Sequence, residues 1–198
     1  TAGVTPTPRS TSPRDEAVSG EALRKLIEED WLKYAVALRA ARVPLTTQSD
    51  AAGGCDGVKD GKYGFHTWLD KDPWWQVDLG EATDIASVVV FNRLDYAPGL
   101  HNADNLRILT SDDAKSWTLR HDNAGKHFGG MGDGGPLVVK FESGQVRARF
   151  VRLQVPTEKP MLYHLDEVEV YGFSDPQRNL ALHRPADQSS LSQWSTGK

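Results

Sequence analysis

From Pro44 onward the chain is broken into short apolar runs, too brief and too closely spaced to be helices. They are Trp75 to Leu79, Ile85 to Asn92, Leu106 to Thr110, Trp117 to His121, Leu137 to Phe141, Phe150 to Val155 and Val168 to Tyr171. Several alternate: Val151, Leu153 and Val155 face one way, Phe150, Arg152 and Gln154 the other, the period of a half-buried strand. Val88-Val89-Val90-Phe91 is apolar on both faces and suits the inside of a sandwich. Gly-, Asp- and Asn-rich turns separate the runs, and no second helical pattern intervenes. The expected class is all-β, an antiparallel jelly-roll β-sandwich.

Ahead of the strands the pattern differs. Residues 1–18 open in a Thr-, Ser- and Pro-rich stretch that reads as a linker. Over 19–43, Leu23, Ile27, Trp31, Tyr34, Leu38 and Ala41 recur at three- and four-residue steps, with Ser19 as a cap and Pro44 as a stop. One N-terminal α-helix is expected there, as a connector, since it is too short for a stable coiled coil. The sandwich is assigned to 44–174. The segment Arg184-Pro185-Ala186-Asp187-Gln188-Ser189 echoes Arg42 to Ser49, about 140 residues earlier. Residues 175–198 are therefore expected to be a linker and the opening strand of a second, truncated copy.

Charge and composition exclude several classes. The net charge is −4, with both signs scattered, so the clustered basic face of a nucleic-acid binder is absent. No apolar run is long enough to span a bilayer as a helix. Cys55 is the single cysteine, which rules out an intrachain disulfide, and beside its glycine pair it reads as a small buried residue. The six histidines include no i, i+4 pair, which argues against a zinc site. Gly129 to Gly135 lacks the Lys-Ser/Thr of a phosphate loop and runs into Pro136 and a strand. Trp68 and Trp117 are expected to pack rather than bind. No nucleophile–base or paired-carboxylate spacing is recognisable, so no enzymatic activity is expected.

One stretch organises the rest: Cys55 to Gly80. Asp56-Gly57 and Asp60-Gly61 let the backbone turn back, bringing carbonyls and a carboxylate inward together. The strand opening Pro73-Trp74-Trp75 follows, and its two indoles need a large core. The loop reads either as a hard-cation site or as an ion-free loop closed by its own Asx hydrogen bonds. It is not an EF-hand, because the D-x-D-x-D-G spacing is missing.

Four features in order resemble the discoidin, or coagulation-factor type C, domains, especially their galactose-binding-like lectin and carbohydrate-binding-module members. They are the Asp-Gly loop before Pro73-Trp74-Trp75-Gln76-Val77-Asp78-Leu79-Gly80; Ile85 to Val88 leading into Asn92-Arg93-Leu94-Asp95; Leu106 to Trp117; and Phe150 to Leu153 with Leu165 to Gly172. The resemblance covers roughly Val43 to Phe173 and implies a jelly-roll sandwich whose end loops bind ligand, with tandem copies usual. It implies a structural calcium ion held by Val58, Asp60, Lys62, Thr67, Asp166 and Glu167, an all-oxygen set suited to that ion. In the lectin-like members a histidine and two arginines donate to the sugar. Here Arg93 matches the first arginine, the second falls near Leu100-His101, and the earlier loop reads Ser49-Asp50-Ala51 with no histidine. The ligand face expected there is Arg93, Asp95, Tyr96 and His101, with Phe128, Tyr163 and His164 from neighbouring loops; alternatively Arg93 forms a framework salt bridge with Asp95. The implied function is a non-catalytic, secreted or cell-surface module binding a glycan or glycoprotein, with no nucleic acid and no membrane insertion. The alternatives are an adhesion or scaffolding domain of a larger multidomain surface protein, or an accessory domain of a glycan-active enzyme.

Overall fold

The computed structural model describes residues 44–196 and Glu29. The chain divides into two compact units, Thr1–Pro44 and Leu45–Lys198. The helix expected over 19–43 lies outside the described residues, apart from Glu29, which is helical.

The second unit is built on one strand. β1 (Phe65–His66) precedes β2 (Trp74–Phe91), which continues for 18 residues through what the sequence pattern divides into two strands. Then come β3 (Arg107–Ser111), β4 (Thr118–Asp122), β5 (Leu137–Lys140), β6 (Arg147–Gln154), β7 (His164–Leu165), β8 (Glu167–Gly172) and β9 (Ala186–Gln188). The first half of β2 pairs with β6 and β9, and the second half with β8 and β5, all antiparallel. β3 and β4 extend the β6 side. β2 therefore passes from one sheet to the other. It turns at Gly80, whose φ of 90° favours glycine, and its pairing register shifts between Asp78 and Thr83. The corner is braced by Asp78, which accepts Gly80 N–H at 2.8 Å and two bonds from the Arg149 guanidinium at 2.7 Å each.

Burial explains the alternation. Trp75, Val77 and Ile85 are fully buried, as are Val151 and Leu153 opposite them. Trp75 stacks on Phe65 with centroids 5.9 Å apart, and its indole N–H donates to Ala51 O at 2.8 Å. Gly54 admits this ring: a Cβ there would lie 2.8 Å from both Phe65 Cδ1 and Trp75 Nε1. Trp117 packs as expected, 4.0 Å from the Arg152 guanidinium, which also lies 4.3 Å from the Trp74 ring.

The tail departs from expectation. Residues 179–196 belong to this sandwich: β9 pairs with Trp75–Val77, and His183 N–H donates to Cys55 O at 2.8 Å. The two echoing segments take different shapes, since Thr47–Ala51 is a short helix capped by Thr46 while Ala186–Gln188 is a strand. Buried Asp50 joins them. Its carboxylate accepts from Gln188 Nε2 at 3.0 Å, Ser195 Oγ at 2.8 Å and Thr196 N–H at 2.8 Å. Replacing Trp75 with Ala is expected to cost about 3–5 kcal/mol, because the cavity sits where both halves of the core meet. Urea midpoints would show the loss, and a shift below about 1 kcal/mol would contradict it.

Candidate ligand pocket and cation loop

At the end of the sandwich where β1 meets β7, Tyr63, His66, Arg93, Tyr96, Leu162 and Trp194 line a cavity of about 210 Å³. Arg93 is its centre. The guanidinium lies 4.7 Å from the Tyr63 ring and 5.0 Å from the Tyr96 ring, and it pairs with Asp95. His66 is 3% exposed and its Nδ1 meets Thr67 O at 2.8 Å. A carbonyl only accepts, so Nδ1 carries the proton and Nε2 is left as an acceptor. Burial lowers the His66 pKa and keeps the ring neutral. Trp194 comes from the tail, its ring 5.1 Å from His66 and 5.8 Å from Trp68, and its carbonyl accepts Tyr63 OH at 2.9 Å. Trp68 is 40% exposed, more open than a purely packing role requires.

Beside the pocket lies the glycine- and acid-rich loop. Glu167 Oε1 accepts Gly57 N–H at 3.0 Å, and Asp166 Oδ2 accepts Gly61 N–H at 2.9 Å. Asp56 and Asp60 close their own Asx turns onto the amides of Val58 and Lys62. Glu167 is fully buried, and its Oε2 has no hydrogen-bond partner. Burial, with the nearby charges of Asp56 and Glu169, pushes its carboxyl up to about 8. A buried carboxyl oxygen left without a partner beside this loop is the kind of donor a hard cation takes. Asp60, the Val58, Lys62 and Asp166 carbonyls, and Glu167 would hold it. Thr67 is engaged elsewhere: its Oγ1 accepts Tyr163 N–H and donates to Trp68 O, both at 3.1 Å.

Loop and pocket share a peptide unit. Gly61 O accepts Leu94 N–H at 2.7 Å and Asp95 N–H at 3.1 Å, so the loop carries the segment that presents Arg93.

Of the residues the sequence assigned to the ligand face, Arg93 and Tyr96 line the pocket, and Asp95 braces Arg93. His164 lies behind the pocket, buried, its ring 5.1 Å from that of His66. The other three do not line it either. Tyr163 is fully buried against Phe65, Phe128 is 6% exposed in the core, and His101 lies on the surface against Asp104 and His127. Apolar rings fill the core first, and chain order gives no sign of which ring does so. Tyr63, His66, Leu162 and Trp194 were not singled out from the sequence. For His66 a signal existed: it precedes Thr67 on an alternating segment. For Trp194 there was none, since only β9 brings it round.

This arrangement defines a class: a two-sheet discoidin-type module with a small aromatic pocket and an oxygen-rich loop at one end. The chain belongs to the F5/8 type C domain family, whose pattern it matches over residues 44–167. It is similar to the lectin domain of Lectinolysin, solved in complex with the Lewis b antigen. Identity is 29% and the TM-score 0.50, over 65% of this chain and 89% of that one. A His 62 mutant of the same domain with Lewis b gives 29% identity and a TM-score of 0.50, over 63% of this chain and 85% of that one. A Clostridium perfringens domain in complex with GalNAc-β-1,3-galactose is 19% identical with a TM-score of 0.41, over 55% of this chain and 74% of that one. No curated protein sequence matches the chain.

Burial, then electrostatic coupling to the His66 ring and to Arg93, lowers the His164 pKa to about 3. The unfolded chain takes up a proton near pH 6.5 that the folded chain refuses, so this group's contribution to stability falls as the pH drops below 6.5. Relative to His164→Gln, in which the opposite-signed contribution of Glu167 cancels, the wild type is expected to lose up to about 1.4 kcal/mol per pH unit between pH 6.5 and 5. Urea unfolding across that range checks it. Parallel pH profiles would refute it.

Proposed function

We propose that this domain is a non-catalytic carbohydrate-binding module that takes a sugar at Arg93, with a structural calcium ion in the adjoining loop. The observation that carries the reading is Arg93 packed on the rings of Tyr63 and Tyr96 in a pocket that His66 also lines. Sugars present apolar C–H faces and paired hydroxyls. Aromatic rings take the first, while a forked guanidinium donor and an imidazole acceptor take the second. The 29% identity with a lectin domain solved with Lewis b supports the same reading. A non-catalytic role accords with Cys55, whose thiol is pushed up to about 12 by burial and the Glu167 charge and is therefore unsuited to be a nucleophile. Millimolar calcium and exposed glycans point to a secreted or cell-surface setting, as part of a larger protein. Among the described residues no helix is long and apolar enough to cross a membrane.

Two measurements test this. On a glycan array and by calorimetry in calcium, the protein is expected to bind a defined set of oligosaccharides, Lewis b among the first to try. Arg93→Ala should weaken that binding at least tenfold, about 1.4 kcal/mol. A blank array, or unchanged affinity in the variant, would remove the glycan reading. Separately, calcium at a hundredfold excess over its Kd is expected to stabilise the fold by about 2.7 kcal/mol against chelator. Glu167→Gln should lose that response, and chelator should also weaken glycan binding through the Gly61 contacts. Identical melts in calcium and chelator would dismiss the ion.

A further inference from the structure

The geometry points to a second metal site of different chemistry, a zinc-type site formed by His101, Asp104 and His127 on the surface. The sequence argues against zinc because no two histidines stand at i, i+4, but the fold assembles a histidine pair from separate segments. His101 and Asp104 share one turn, and His127 comes from the connection after β4. Asp104 lies between the rings: Oδ2 is 2.7 Å from His101 Nδ1, and Oδ1 is 3.0 Å from His127 Nδ1. The ring centroids are 4.5 Å apart, and one ligand atom from each residue lies within 4.8 Å of the others. Ligands about 2.0–2.2 Å from a tetrahedral zinc ion are about 3.4 Å from one another, so small side-chain rotations suffice. On binding, each imidazole would carry its proton on Nε2 and turn the Nδ1 lone pair to the ion. Water would complete the fourth position, on the side where His101 is 72% exposed.

The scaffold beneath is already fixed. Asn123, 3% exposed, donates to Asp104 O at 2.9 Å and to Lys126 O at 2.5 Å, fastening the turn that bears Asp104 to the residue preceding His127. Gly125 N–H adds a second bond to Asp104 O at 3.1 Å. Little ordering of loops therefore opposes binding. Two nitrogens and one carboxylate select zinc or its transition-metal neighbours, whereas the oxygen loop at Glu167 selects a hard ion. The turn also reaches the pocket wall, since Asn102 donates to Leu162 O at 3.1 Å.

Tag-free protein titrated with cobalt(II) should show the visible absorption of a nitrogen–oxygen site at one equivalent, displaced by zinc and not by calcium. His101→Gln and His127→Gln should each weaken zinc binding at least tenfold in calorimetry. Glu167→Gln should leave it unchanged, and the calcium response of the melt should survive in both histidine variants. These side chains are on the surface, so metal-free melts of the variants should match the wild type and exclude misfolding. Absence of saturable zinc binding by the wild type, or equal binding by the double variant His101→Gln/His127→Gln, would overturn the proposal.

Discussion

Two successive acidic side chains, Asp166 and Glu167, grip backbone amides of the glycine-rich loop from beneath. Both are buried, and both lie at the junction of β7 and β8. Asp166 N–H also donates to Phe91 O at 3.0 Å, so the same dipeptide closes the end of β2. A carboxylate bonded to backbone N–H groups holds a loop in a way that apolar contact does not, because each amide fixes a direction as well as a distance. The loop, the long strand and β8 therefore converge on one dipeptide.

That junction carries an electrostatic tension. Glu167 keeps one oxygen unpartnered at full burial, near Asp56 and Glu169. Lys59 relieves part of it by pairing with Glu169 at 2.5 Å, with its ammonium also 5.3 Å from the Phe91 ring. Burying a carboxylate without a partner is costly, and the rise of the Glu167 carboxyl to about 8 expresses that cost. The pocket rests on the same platform through Gly61 O, and the tail roofs it with Trp194.

Much of the sandwich was legible. Period-two alternation located most strands to within a few residues, because a sheet with one wet face has to alternate. The continuity of β2 was not legible: Gly80 and the charged residues after it look like a turn, whereas they bend a single strand between sheets. The two-residue strands β1 and β7 are too short to leave a pattern. In the site, Arg93 and Tyr96 were found because they flank a recognisable motif. His66 and Trp194 were missed because they reach the pocket from segments with no motif of their own. His101 was assigned to the sugar face by its neighbours in sequence, and packing turned it instead toward Asp104 and His127.

The sequence alone determined the class of the fold, the place of the acid- and glycine-rich loop and the arginine beside it. The first two follow from local rules, alternation and turn chemistry; the arginine follows from its place in a motif that resembles that of the discoidin domains. Only the tertiary structure decided which of two echoing segments became a strand, which rings fell into the core, and which residues met at the pocket and at the histidine pair. Those outcomes depend on contacts between residues up to 146 positions apart, as from Asp50 to Thr196, and no local pattern encodes such contacts.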